Sequence, residues 1–394
     1  MNRYKISSNI SVVGKRLLNT VTGELYELTA AGLNLVAALN RGEADEKSPL
    51  FKRMLAEGVI VRVDEDPRKE RFHLQWHLLN GCNLRCRHCY DEKQGSSPLA
   101  FEQMLTVTDN FVVFLRKTEF NGELSLTGGE PLLFPRLVEL IEYIKSRDVF
   151  IALFILTNGT IPFGPELMAA LTKHNVGVQI SIDGNEAVHD EIRGEGNYQR
   201  SLATVKSLIA SGVYPMVHYV IMKRNSVVIE EFLADMLAAG VKRINFSNLV
   251  PIGPGAKEVA LSPEENATVI EKVAVLQQKY PGISMLARRP LWHLAGSTGL
   301  CPVGLKTLTI DANGMYMPCR RLPIILGNSR TDTFFKVWFT SEFLQKMRER
   351  EKYVKVCGKC PKADICGGCR AIAHAVYGDA FAVDPSCLLA SKVV

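Results

Sequence analysis

Chemistry in this chain is concentrated in its cysteines. Of ten, three fall in the run Cys82-Asn83-Leu84-Arg85-Cys86-Arg87-His88-Cys89-Tyr90, and seven follow as Cys301, Cys319, Cys357, Cys360, Cys366, Cys369 and Cys387, with none between Cys89 and Cys301. Three thiolates at CxxxCxxC spacing are an odd set. A structural zinc site closes a tetrahedron with four ligands, whereas a cubane iron–sulfur cluster held by three cysteines leaves one iron open for a further ligand. The spacing alone also admits another metal, or chance. In the C-terminal group, the two CxxC pairs from Cys357 to Cys369 would by themselves suit one closed zinc site, but seven thiolates do not divide into complete sets of four.

Such loops need a frame to hold them. From residue 72 onward short apolar runs alternate with amphipathic stretches at roughly 30-residue intervals, the period of a βα unit. Strands are predicted at Phe72–Leu79, Glu123–Leu126, Phe150–Leu156, Val176–Ile182, Tyr214–Ile221 and Arg243–Asn248. Between them, Leu137, Leu140, Ile141 and Ile144, then Ile229, Phe232, Leu233 and Met236, keep the spacing of a core-facing helix stripe. A last helix runs from Pro263 to Tyr280. Six parallel strands are implied. Periodicity alone admits either a doubly wound sheet or an incomplete TIM-like barrel, and both gather their sites at the C-terminal strand ends.

Motifs stand at those ends. Thr127-Gly128-Gly129-Glu130-Pro131 follows the second strand, and its glycines would let backbone approach a ligand closely; no Lys-Ser/Thr follows, so it is not a phosphate loop. Thr157-Asn158-Gly159 ends the third strand, and Ser181-Ile182-Asp183-Gly184 ends the fourth, leading to His189-Asp190-Glu191-Ile192-Arg193-Gly194. After the sixth, Pro251-Ile252-Gly253-Pro254-Gly255 reads as a loop on composition.

In this order, the motifs resemble those of the radical S-adenosylmethionine (SAM) superfamily. The resemblance covers residues 72–394 and selects the partial (β/α)6 barrel, an α/β fold. It implies a [4Fe–4S] cluster on Cys82, Cys86 and Cys89 whose open iron binds SAM, reductive cleavage of SAM, and a 5'-deoxyadenosyl radical that abstracts hydrogen. By the same likeness Gly128, Gly129 and Glu130 hold the methionine amino group, Ser181 and Arg193 the carboxylate, and Asp183 lies near the ribose, with Tyr90 and Asn158 also at the cofactor. The C-terminal cysteines, with Gly314 to Cys319 as a Gx4C unit, look like a SPASM extension carrying two auxiliary [4Fe–4S] clusters. Carried over residue by residue, Cys357, Cys360, Cys366 and Cys387 bind the outer cluster, and Cys301, Cys319 and Cys369 the inner one. One CxxC stands where many relatives have CxxxC, and the inner set has three cysteines.

The stretch from Gly367 to Cys387 looks most like the branches acting on cofactor peptides and haem precursors. Arg320 and Arg321 stand where sulfatase-activating relatives carry an Asp base, which counts against that activity. Two arginines there suit a carboxylate-bearing substrate or are simply surface residues. No catalytic acid or base is evident, although Tyr198, Tyr219, Tyr316 and His293 are available.

Residues 1–71 read as a separate α+β unit. Strands at Ile10–Val13 and within Arg16–Leu28 turn at Thr22-Gly23, a helix capped by Thr29 runs to Leu39, and another near Leu50–Glu57 ends at Gly58 before a strand at Val59–Val63. The charged run from Asp64 to Glu70 is a linker. This order resembles the winged-helix-like domains that bind leader peptides; a small cap on the catalytic domain is the other reading. The expected division is therefore 1–71, a barrel at 72–285 and a cluster domain at 286–394.

Composition narrows the rest. The chain has 394 residues, 47% hydrophobic and 22% charged, which suits a globular protein of two or three domains. A net charge of +6 is spread along the chain without a basic arm, so neither nucleic acid nor a membrane surface is an expected partner. No signal peptide opens the sequence and the longest apolar run, Phe150 to Leu156, is too short to span a bilayer. A cytoplasmic enzyme, an oxidoreductase of peptides or alternatively of a tetrapyrrole, served by an external low-potential electron donor, is the expectation. A non-enzymatic zinc protein is the remaining reading, and it leaves the GGEP run and the Ser181/Arg193 pair unexplained.

Overall fold

The computed structural model describes residues 4–6, 10–13, 16–19, 25–41, 43–57, 59–62, 70–91, 98–285, 300–350, 353, 357–360, 362–363 and 366–391. The Thr22-Gly23 turn, Gly58, Val63, the linker from Asp64 to Lys69 and His293 lie outside them. Contacts divide the chain into two compact units: Met1–Phe72 with Val112–Gly122 and Arg147–Ile151, and His73–Phe111 with Glu123–Ser146 and Ala152–Val394.

In the first unit, β1 (Tyr4–Ile6), β2 (Ile10–Val13), β3 (Arg16–Asn19) and β4 (Leu25–Glu27) precede α1 (Ala30–Arg41), α2 (Pro49–Ala56) and β5 (Ile60–Arg62). Strands β2, β3 and β4 form an antiparallel sheet, while β1 pairs antiparallel with β5. That pairing of the two ends was not legible, because three residues in each strand carry no pattern. Thr29 Oγ1 accepts from Gly32 N at 3.2 Å at the start of α1, and Ser48 caps α2. Leu17, Leu35, Leu39, Phe51, Met54, Val59 and Ile60 make its core.

The main sheet begins with β6 (Arg71–His77) and continues, after α3 (Phe101–Thr118), with β7 (Asn121–Thr127). Then come α4 (Leu137–Lys145), β8 (Ile151–Thr157), α5 (Pro165–His174), β9 (Gly177–Ser181), α6 (Glu186–Arg193), α7 (Asn197–Ala210) and β10 (Met216–Ile221). It goes on through α8 (Ile229–Ala238), β11 (Arg243–Asn248), α9 (Pro263–Lys279), β12 (Thr307–Ile310), β13 (Met315–Met317) and β14 (Gly327–Asn328). Four short helices follow: α10 (Phe334–Thr340), α11 (Glu342–Arg348), α12 (Arg370–Tyr377) and α13 (Leu388–Ser391).

Strand order decides what periodicity left open. The nine strands lie as β11-β10-β9-β8-β7-β6-β12-β13-β14, so β6 to β11 follow one another without the reversal that defines a doubly wound sheet. This is the partial (β/α)6 barrel. The pairs β8–β9, β9–β10 and β10–β11 are parallel. Beside β6, β12 pairs in parallel and then turns antiparallel into β13 and β14, an extension of the sheet by the cysteine-rich part that the sequence reading did not include.

Both expected helix stripes are buried: Leu137, Leu140, Ile141 and Ile144 on α4, and Ile229, Phe232, Leu233 and Met236 on α8. Each such side chain contributes about 2 kcal/mol of burial as an upper estimate. Helix α9 starts with a capping box between Ser262 and Glu265.

Candidate active site at the strand ends

The loop after β6 is held to the loop after β7 by backbone. Leu78 N donates to Thr127 O at 2.9 Å, Gly129 N to Leu79 O at 2.8 Å and Glu130 N to Gly81 O at 2.9 Å. The two glycines are needed for this approach. Gly128 has φ +143°, and a Cβ there would lie 2.5 Å from Leu79 O, while one on Gly129 would overlap Gly81 O more severely still. Their first task is thus to let two strand-end loops touch.

Glu130 is fully buried. Its carboxylate accepts from Leu132 N (3.1 Å), Thr157 Oγ1 (2.7 Å) and Asn158 N (2.9 Å), tying the end of β7 to the end of β8. Burial raises its pKa, against the pull of those hydrogen bonds. Asn158 in turn donates to Asn83 Oδ1 at 2.9 Å and stands 4.0 Å from Cys82 Sγ, so β8 braces the cysteine loop.

From β9, Asp183 anchors a buried network. Burial alone would raise its pKa, but Arg193, His88 and the Val220 N–H hold its carboxyl well below the ordinary carboxylate range. Arg193 Nε donates to Asp183 Oδ2 at 2.6 Å, and Val220 N to Oδ1 at 2.7 Å. The same guanidinium donates to Cys86 Sγ at 3.8 Å and lies 3.3 Å from His88 Nε2. Burial pushes the His88 pKa down to about 4, and the Cys86 thiol up to about 11 with Arg193 opposing. Arg87 N donates to Ile192 O at 2.9 Å, fixing the cysteine loop to the end of α6.

The loop after β11 closes the other side. Gly255 N donates to Cys89 O at 3.0 Å, and Gly253, at φ +54°, packs so closely that a Cβ on it would lie 3.1 Å from Tyr90 O. Composition alone made this a loop; the Gly-Pro-Gly spacing was the available signal for close packing. His88 and the pair His218–Ser247, with 3.0 Å between Nε2 and Oγ, were missed because single polar residues carry no spacing signal.

These elements enclose a cavity of about 890 Å³ lined by Cys82, Cys86, Cys89 and Tyr90, by Gly128, Gly129, Asn158, Ser181 and Arg193, and by Arg320 and Arg321. Glu130 and Asp183 lie behind its wall. Tyr198, Tyr219 and Tyr316 lie outside it and donate to Asp235, to Asn225 O and to Asp332 O. Three cysteines on one cavity wall, with Leu84 N 3.4 Å from Cys82 Sγ and a guanidinium on Cys86 Sγ, supply the N–H donors that bound thiolates need. That donor set fits a [4Fe–4S] cluster that Cys82, Cys86 and Cys89 could hold.

The C-terminal cysteines converge from distant segments. Cys301 belongs to an apolar core with Val303, Leu322, Met347 and Tyr353, and Cys319, Cys357 and Cys369 pack against it. Burial raises the Cys369 thiol to about 12. The fully buried Asp384 accepts from Cys369 N at 2.7 Å, and Cys387 N donates to Asp384 O at 3.1 Å. Sulfur receives N–H donors here too: Lys362 N on Cys360 and Gly368 N on Cys366, each at 3.4 Å, and Arg370 on Cys357 at 3.8 Å. These donors suit auxiliary clusters.

The three-cysteine cavity at the strand ends and the second cysteine-rich region are arranged as the sequence motifs led one to expect. The chain belongs to the radical SAM superfamily and carries a SPASM domain. The radical SAM superfamily model matches residues 76–239, and the SPASM iron–sulfur cluster-binding domain matches residues 301–361. Membership brings a SAM-binding [4Fe–4S] cluster and auxiliary clusters.

Among relatives, the AdoMet-dependent heme synthase of Methanosarcina barkeri is 29% identical over 352 residues, covering 80% of this chain and 95% of that protein. The mycofactocin maturase MftC of Mycobacterium ulcerans is 30% identical over 336 residues, covering 80% of this chain and 87% of that one. The crystal structure of Streptococcus suis SuiB bound to precursor peptide SuiA shares the fold at TM-score 0.65 and 16% identity, covering 98% of this chain and 100% of that one. Among the described residues no helix is long and apolar enough to cross a membrane.

Proposed function

We propose that this enzyme oxidises a ribosomally made peptide, forming a cross-link or similar bond, with residues 1–71 engaging the leader part of that peptide. The observation that carries this reading is the fold match along 98% of the chain to a protein solved with its precursor peptide, a span that includes the N-terminal unit. The likeness to a mycofactocin maturase points the same way. In this reading Cys82, Cys86 and Cys89 hold the SAM cluster, Ser181 and Arg193 receive the SAM carboxylate, and Gly128 and Gly129 its amino group. Glu130 and Asp183 act from behind the wall as positioning residues for Asn158 and Arg193. Cys357, Cys360, Cys366 and Cys387 hold one auxiliary cluster and Cys301, Cys319 and Cys369 the other. When bound, these groups supply reductive cleavage of SAM, hydrogen abstraction, and a sink for the second electron of a two-electron oxidation. An external low-potential donor supplies the electron that cleavage consumes.

A second reading keeps the chemistry and makes the substrate a tetrapyrrole side chain. It is favoured by the likeness to heme synthases along nearly their whole length. The test is turnover of the anaerobically reconstituted full chain with SAM, a strong reductant and candidate precursor peptides. The expected result is 5'-deoxyadenosine with a peptide lighter by two hydrogens. Unchanged peptides together with modification of a propionate-bearing tetrapyrrole would overturn the peptide reading.

A further inference from the structure

The cavity wall carries more positive charge than its own carboxylates neutralise. Seven arginine and lysine side chains line it, against the two carboxylates of Asp91 and Glu258. Two of these cations already face carboxylates of the protein: Arg193 faces Asp183, and Arg224 faces Glu258 and Glu191. Arg320 and Arg321, in the connection after β13, do not, and among the described residues neither forms an ion pair.

The placement of the two is specific. The Arg320 guanidinium carbon lies over the Tyr90 ring, 5.2 Å from its centre, a cation–π contact with the cysteine loop. Such a contact uses up none of the guanidinium N–H groups, which stay free for a planar acceptor. Arg321 donates Nη1 to Asn248 O at 3.2 Å, and its Nε is buried with no partner. A buried donor atom without a partner is costly. Burial opposes the Arg321 charge, while Cys319, also a hydrogen-bond partner, and Cys369 favour it, and bound thiolates would offset part of the cost. That contribution accounts for Arg321 but not for Arg320. SAM's own carboxylate has Ser181 and Arg193 for partners in the reading above.

We propose that Arg320 and Arg321 form a subsite that binds a carboxylate of the substrate and so sets which part of it faces the cysteine loop. The inference rests on the cavity being the substrate site. The carboxylate is an acidic peptide side chain or a tetrapyrrole propionate, the same bidentate chemistry in either case.

Binding to the reconstituted full chain with SAM present tests this in two arms. One arm compares coproporphyrin III with its tetra-amide by porphyrin fluorescence. The other compares a fluorescein-labelled Gly-Glu-Gly-Glu-Gly peptide with its Gln counterpart by anisotropy. We expect the acid form to bind about tenfold more tightly than the amide in at least one arm, and R320Q to reduce that ratio to about threefold or less. R320K keeps the charge without the planar fork; should R320Q fail to retain iron, a several-fold fall of the ratio in R320K carries the point. Equal binding of acid and amide by the native chain in both arms overturns the proposal, as does a ratio unchanged in both variants. Success in the porphyrin arm alone would keep the subsite and remove support from the peptide reading. Failure in both arms, with a peptide still oxidised in turnover, would remove the subsite alone.

Discussion

Cys82, Cys86 and Cys89 sit on one loop, and the ends of β7, β8, α6 and β11 all reach it through hydrogen bonds or close packing. The other seven cysteines come from the connections before β12, after β13, between α11 and α12, and before α13. A local set can be written into consecutive residues and then braced. A dispersed set exists only once the chain has folded, and here it is gathered on an apolar core and on Asp384. The first region therefore concentrates its vulnerability in a few braces, while the second spreads it.

The largest effect expected from that difference is in the cysteines themselves. Cys86→Ser should lower iron by about four per chain and abolish 5'-deoxyadenosine formation, whereas Cys366→Ser should lose a similar amount of iron yet keep cleavage within about tenfold. Iron assay and product chromatography measure both, and equal abolition by the two variants would erase the contrast.

Next comes Asp183→Asn, which leaves the buried Arg193 without its partner and should cost about 4 kcal/mol at pH 7. Because the folded pKa of Asp183 lies below its ordinary value, its contribution is fully present above about pH 4 and is lost as pH falls further. Urea denaturation at pH 7 and pH 3 should thus show a smaller gap between native and variant chains at the lower pH. A gap independent of pH would mean that the ion pair is not what stabilises the network.

Gly129→Ala should cost about 3 kcal/mol, since the new methyl meets the Gly81 carbonyl, which the β7 loop itself holds in place. The C-terminal counterpart is Gly368→Ala, whose methyl, at a φ of +64°, meets the hydrogen-bonded Arg370 side chain at 2.5 Å and Asp384 Cβ at 2.9 Å. Side chains give more readily than a backbone carbonyl, so about 2 kcal/mol is expected there. Denaturation midpoints compare the two, and a larger loss at Gly368 would reverse the ranking of the regions.

Much of the frame was legible before folding. The six strands appear within two residues of their expected ends, and the stripes on α4 and α8 are buried as their spacing requires, because burial selects side chains at a fixed period. The motif residues Gly128, Gly129, Asn158, Ser181 and Arg193 do line one cavity. Sequence order at strand ends could place them on the same side of a parallel sheet. It could not say that Glu130 and Asp183 stand behind the wall, since facing inward or backward depends on neighbours far along the chain.

What the amino-acid order determined by itself was therefore whatever is local or periodic: the CxxxCxxC loop, the alternation of strand and helix, and the glycines where two backbones touch. Tertiary structure alone decided the one-directional strand order, the extension by β12 to β14, the packing of Cys357 beside Cys301, Cys319 and Cys369, and the two cavity-wall arginines that form no ion pair among the described residues. The reason is physical. Hydrogen-bonding and packing preferences act between residues close in sequence and leave a repeating trace, whereas a buried charge or a thiolate set is stabilised by partners brought together only when the sheet has formed.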